Sequence, residues 1–212
     1  KICVTGGVTD ATMVGEAGRL QMTEEEVAAV CEEAHKNGMR VAAHVESTEG
    51  VRIALKGGVD TIEHGAEMDE EIIRLYQNNP RALKGYTALI PTLQAGYPIA
   101  KLDTSLTKVN ETVKENSRLV YDSMLKGLRQ AVEHEIKIGI GTDAAMSYVT
   151  HYDMWRELDH HMRQTKLNAG QVIERATKSN AEILGIDHLT GSIDIGKQAD
   201  LIVLEHNPLD NI

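Results

Sequence analysis

The sequence predicts an α/β protein with parallel strands. Short apolar strands alternate with amphipathic helices along most of its 212 residues. That alternation builds right-handed crossovers between parallel strands. Polar residues also recur at the ends of successive strands, where an α/β barrel keeps its chemistry.

The elements follow in order. Ile2 to Val4 reads as the end of a strand already running at residue 1, so the chain is expected to begin inside a domain. A long loop, Thr5 to Met22, leads to a helix over Thr23–Asn37, with Thr23 and Glu26 as a capping box and Gly38 as its stop. Arg40–Val45 is the second strand, and its helix runs from Ser47 or Thr48 to Gly57-Gly58. Val59–Glu63 is the third, followed by a helix from Asp69 that places Ile72, Ile73 and Tyr76 on one face. Tyr86–Leu93 is the fourth strand, with Pro91 marking its frayed end. A long helix over Asn110–Glu135 carries Val113, Val120, Met124, Leu128 and Val132 at helical spacing. Ile136–Ile140 is the fifth strand. Helices then cover Asp153–Lys166 and Asn168–Leu184, closed by Gly185, and Asp200–Leu204 reads as a last strand with no helix after it. Five alternating strands are too few to close an eight-stranded barrel. They suit an open doubly wound sheet or the latter part of a barrel.

Composition narrows the function. The chain has 22 Lys and Arg against 32 Asp and Glu, a net charge of −10, which argues against nucleic-acid or anionic-membrane partners. One Trp, six Tyr and no Phe leave no base-stacking platform. No apolar run is long enough to span a membrane, and the N-terminus lacks a signal-peptide layout. Cys3 and Cys31 alone make no disulfide framework, so a reducing, cytoplasmic setting is expected. A small-molecule substrate is the remaining partner class.

His44, His64 and Asp143 each end a predicted strand, and the two histidines lie one strand-helix period apart. Neighbouring parallel strands would bring the imidazoles side by side, and imidazole with carboxylate suits zinc and related divalent metals. Glu46, two residues beyond His44, reads as a contact for a substrate amine or basic side chain, or as a helix N-terminal acid favoured by the macrodipole. Gly6 and Gly7 let main-chain N–H groups approach a substrate carboxylate. Arg19 reads as a solvated surface residue, and His160 and His161 as helix surface.

Thr5-Gly6-Gly7-Val8, Val41-Ala42-Ala43-His44, Gly58 through Gly65, Pro91-Thr92-Leu93, Gly141-Thr142-Asp143-Ala144 and Gly191 through Leu201 form an ordered series. The series resembles the amidohydrolase superfamily, in its branch of prolidase-like and imidazolonepropionase-like metal hydrolases. The resemblance implies the latter part of a (β/α)8 TIM-like barrel over residues 1–185, from barrel strand 4 onward. Residues 186–212 would return a strand to a small β-sandwich domain. It further implies an upstream half of the barrel carrying a His-x-His pair that this sequence lacks, and a homo-oligomer.

On the same resemblance, Lys1 stands where prolidase-like members carry a lysine carboxylated by CO2 that bridges two metals. His44 and His64 would ligate one ion, and the upstream pair with Asp143 the other. Asp143 would also be the general base. The implied cofactors are two divalent ions, zinc first among them. The implied reaction is hydrolysis of an amide C–N bond by metal-activated water. The substrate would be a dipeptide of Xaa-Pro or Xaa-Arg/Lys type or an N-acyl amino acid. Several prolidase-like members have Tyr where this chain has Glu46, a departure that bears on Xaa-Pro specificity. Two other readings stay open: a mononuclear hydrolase of a cyclic amide, which needs no lysine bridge, and a degenerate barrel that only binds.

Overall fold

The computed structural model describes residues 1–210. Four parallel strands, β1 (Ile2–Cys3), β2 (Ala42–Val45), β3 (Thr61–His64) and β4 (Ala88–Ile90), form one sheet in chain order. The stretch expected as a fifth strand shrinks to a single parallel bridge, Leu89 to Ile138, beside β4. It keeps two ladder bonds: Leu89 N–H donates to Lys137 O at 2.9 Å, and Gly139 N–H to Leu89 O at 2.9 Å. Sequential order without reversal is the topology of a barrel, not of a doubly wound sheet.

The helices α1 (Glu24–Lys36), α2 (Thr48–Gly57) and α3 (Glu70–Gln77) follow β1, β2 and β3. Each starts at a residue whose side chain accepts a main-chain N–H: Thr23 in a complete capping box, Ser47, and Asp69. The α1 and α2 ends are set by Gly38 (φ 66°) and Gly58 (φ 97°), left-handed positions that glycine takes without strain. One core joins the sheet to these helices and to α6 (Glu111–Glu133). It contains Val27, Val45, Leu55, Ile62, Ile72, Tyr76, Leu89 and Leu128, all buried.

Alternation along the strands separates two faces. Ala43, Val45 and Ile62 are fully buried against the helices, while Ala42, His44, Thr61 and Glu63 stay half-exposed on the other face. Cys3 pairs with His44 in register, so Lys1, two residues before it, shares that second face. This inner face of the sheet presents the site.

Several elements depart from expectation. Helices α4 (Leu93–Lys101) and α5 (Thr104–Thr107) carry no strong sequence signal, since Gly96 and Pro98 lie inside α4. Packing against α6 and α7 (Met154–Gln164) sustains α4 instead. The helix expected over 168–184 divides into α8 (Ala169–Glu174), a π-turn (Arg175–Ser179) and α9 (Asn180–Leu184). His160 and His161 are not helix surface: His160 is buried and His161 fully so, because α7 turns that side toward α4. Asp200–Leu204 forms no strand among the described residues. Its backbone has no ladder partner, and Ile202 and Val203 are exposed at 86% and 95%. Residues 211 and 212 of the segment assigned to a β-sandwich lie outside the described residues.

Helix α6 anchors the turn after β3. Gln130 brackets Met68, donating to its O at 2.7 Å and accepting from its N–H at 2.8 Å, and Ser123 Oγ accepts from Glu67 N–H at 3.0 Å. A Cβ on Gly127 would stand 2.3 Å from the Ala66 carbonyl oxygen. Gly127→Ala therefore forces α6 off this turn. We expect a loss of about 1–3 kcal/mol in a denaturant melt, although alanine is the better helix former.

Candidate metal centre

The strand register alone would separate the two histidines. His64 lies opposite Val45, so alternation points it toward the helices, away from His44. Its backbone removes the conflict: at φ 70°, the left-handed region, the chain turns the imidazole back onto the inner face. The rings then meet edge to face with centroids 4.7 Å apart. Thr92 (φ 50°), after β4, and Asp143 (φ 54°), after the Ile138 bridge, share this backbone state. A non-glycine residue held so costs about 1–3 kcal/mol, and such strain gathers at functional sites. Three cases at three adjacent strand ends mark this rim.

Donor atoms of His44, Glu46 and His64 all lie within 4.8 Å of one another. His64 is buried, and Glu46 and His44 keep only 8% and 16% of their side chains exposed. The His64 Nδ1 atom bonds Thr92 Oγ1 at 2.6 Å, which leaves Nε2 as the free ring nitrogen. Burial drives the His64 pKa down to about 3, helped by His44 and the Lys1 ammonium. His44 is lowered by burial first and by Lys1 second, against the Gly6 main chain and the carboxylates of Asp143 and Asp10. Both rings are neutral at pH 7, the form that ligates metals. Burial pushes Glu46 up to about 8, with Asp10 and Asp143 adding to the rise and a Val8 main-chain bond opposing it. With both groups neutral, the 4.0 Å approach of Glu46 to His44 Nε2 is not an ion pair.

Glu46 Oε2 is buried with no hydrogen-bond partner. Two neutral imidazoles beside an orphaned carboxyl oxygen fit a divalent cation, which supplies the charge this cluster lacks. Glu46 thus joins the histidines, a placement that spacing alone did not give. Lys1 and Asp143 stand outside this tight cluster. Both are exposed, yet their charges reach His44 and Glu63, and Asp143 also reaches Glu46.

Gly7 backs the His44 ring, where a Cβ would come within 3.5 Å of Cε1 and Nε2. Gly6 and Gly7 also border a cavity of about 290 Å³ with Asp10, Glu16, Arg19 and Gln21. The loop that forms it is pinned by Gly6 N–H to Arg19 O at 2.9 Å and Gly18 N–H to Gly6 O at 3.1 Å. Arg19 is exposed, as read from sequence, but lines this cavity. Sequence reasoning missed Asp10 and Thr92. Thr92 had a signal, a β-branched polar residue after Pro91 at a strand end; Asp10, mid-loop, had none.

The amidohydrolase family model matches residues 1–212. The chain belongs to the amidohydrolase family. It is 27% identical to the ochratoxinase of Aspergillus niger over 213 residues, all of this chain and 42% of that protein. A solved structure from Bifidobacterium longum, described as a candidate prolidase, aligns with a TM-score of 0.93 at 46% identity, over 99% of this chain and 50% of that one. A Xaa-Pro dipeptidase solved with bound methionine aligns with a TM-score of 0.82 at 33% identity, over 99% of this chain and 49% of that one. The chain therefore spans about half the length of these relatives. Among the described residues, no helix is long and apolar enough to cross a membrane.

The shifts fix how metal-free stability depends on pH. The lowered pKa of His64 contributes stability present above its unfolded value, about 6.5, and lost as pH falls toward 3. The raised pKa of Glu46 contributes stability present below its unfolded value and lost as pH climbs to about 8. Between pH 6.5 and 8 the His64 effect is constant and the Glu46 effect is worth up to about 2 kcal/mol, with the raised Glu63 carboxyl acting in the same direction. Denaturant melts of metal-stripped protein are expected to weaken across that window, and Glu46→Gln to flatten the decline.

Proposed function

We propose that this chain carries the metal-binding and proton-transfer half of a hydrolase that cleaves an amide C–N bond. The observation that supports the reading is the His44–Glu46–His64 cluster at the ends of adjacent parallel strands. Bound there, divalent cations, zinc first among them, would polarise the amide carbonyl and acidify the attacking water. His44 and His64 would hold one ion, with Glu46 able to contribute a carboxyl oxygen to it. Lys1, on the same face, becomes an anion with two ligand oxygens once CO2 carboxylates it, so it can bridge to a second ion. Asp143, at a neighbouring strand end on the same rim, would hold the second ion.

The proton path runs through Asp143. Its exposed carboxylate takes the proton of the attacking water and delivers it to the departing amine nitrogen, without which an amide does not break. Asp10 at the cavity rim adds negative charge and Glu46 an acceptor oxygen, which suits a substrate with a free amine. Gly6 and Gly7 offer main-chain N–H groups to the substrate carboxylate. A dipeptide or an N-acyl amino acid has these groups, and relatives described as a dipeptidase and an ochratoxinase accord with that class. Two free thiols suit a reducing compartment such as the cytoplasm. The upstream half of the barrel would complete the site, and residues 186–212 would join a β-sandwich.

The test is turnover of a dipeptide and N-acyl amino acid panel by the full-length protein. Asp143→Asn is expected to lower kcat by about 10²–10⁴-fold with metal content unchanged. An undiminished rate would remove Asp143 from the proton path. No turnover of any amide by metal-loaded protein would overturn the reading.

A further inference from the structure

Helix α7 buries a carboxylate that, among the described residues, pairs with no lysine or arginine. Glu157 is fully buried and receives two main-chain N–H groups at the start of α4, Leu93 at 2.9 Å and Gln94 at 2.6 Å. It occupies the place a capping side chain normally fills. The residue before the helix, Thr92, makes no cap bond of its own. Its hydroxyl is on His64 Nδ1 instead, and its backbone sits in the left-handed region that a β-branched residue avoids. These facts belong together. A threonine at a helix start ordinarily turns its hydroxyl onto the first-turn N–H groups. Here those groups are already taken from the other side, so the hydroxyl is free to hold an imidazole.

We propose that Glu157 is a positioning residue for His64. By capping α4 from outside, it fixes the strained Thr92 conformation and commits the Thr92 hydroxyl to His64 Nδ1. That commitment leaves Nε2 turned to the metal site. The groups that pack on Glu157 accord with a fixed clamp: His161 Nε2 lies 3.3 Å from Oε1, and His160 on the same helix reaches Gln94 Oε1 at 3.0 Å. Helix α7 thus reaches the site through two hydrogen bonds and one backbone turn, with no hydrogen bond of its own to His44, Glu46 or His64 among the described residues. The inference rests on His64 being a ligand, as proposed above.

The experiment is a double-mutant cycle on metal affinity, read by chelator competition on the full-length protein, with Glu157→Gln, Thr92→Val and the pair. Glutamine keeps one acceptor oxygen where two are needed; valine keeps the shape of threonine without its hydroxyl. Each single variant is expected to lose about 10–100-fold in affinity for the ion held by His64. The pair is expected to lose no more than the worse single variant, because both act on one bond. Side-chain nitrogen NMR of metal-free protein should show His64 protonated at Nδ1 in the wild type and mixed between tautomers in both variants. A purely structural Glu157 would lower the melting temperature and leave affinity and tautomer unchanged, which overturns the proposal. So would losses that add. His64→Ala separates the premises: if it leaves metal content intact, the metal reading fails, whereas metal lost there and kept in Glu157→Gln overturns the positioning role alone. If Glu157→Gln does not fold, Thr92→Val with the tautomer measurement decides, and an unchanged tautomer overturns the proposal.

Discussion

The left-handed turn at His64 is the constraint on which the site depends. Without it, parallel register would bury this imidazole among the helices, opposite Val45, and no pair of rings could form. The turn is costly for a residue with a Cβ, so the surroundings must hold it. Gly65 follows at φ 78° and leaves room for Leu89, whose Cδ1 would stand 2.6 Å from any Cβ there. Thr92 holds the ring itself. Helix α6 braces the turn that follows through Gln130 and Gly127. Strand, helix and strain therefore serve one atom, the free Nε2 of His64.

The cluster so built is electrostatically unfinished. Burial keeps both imidazoles neutral and drives Glu46 toward its neutral form, while Asp10 and Asp143 add negative potential from the rim. Fixed dipoles and carboxyl oxygens gathered where water is scarce favour an added cation. The Lys1 ammonium lowers both histidines and so helps burial hold the rings in their neutral, ligating form.

Much of this was legible in the sequence because it is local. Thr23 with Glu26, Ser47 and Asp69 announce helix starts by short-range chemistry, and the structure places them there. His44 and His64 stand out because strand-helix units have a regular period. What was not legible depends on distant partners. Helix α4 contains Gly96 and Pro98 and exists because α6 and Glu157 support it. His160 and His161 look like surface residues until α7 is seen to face α4. Ile136–Ile140 keeps only one bridge, and Asp200–Leu204 none, since a strand is defined by its neighbours. Glu46, read from sequence as a substrate contact over the site, approaches the histidines closely enough to join their donor cluster, which spacing alone does not reveal.

Metal content per chain, measured on complete purified protein after adventitious ions are removed, tests the central claim most directly. The account predicts close to two divalent ions per chain, with content falling in His44→Ala and His64→Ala. Protein that holds none, and takes up none when zinc or manganese is supplied, would contradict it.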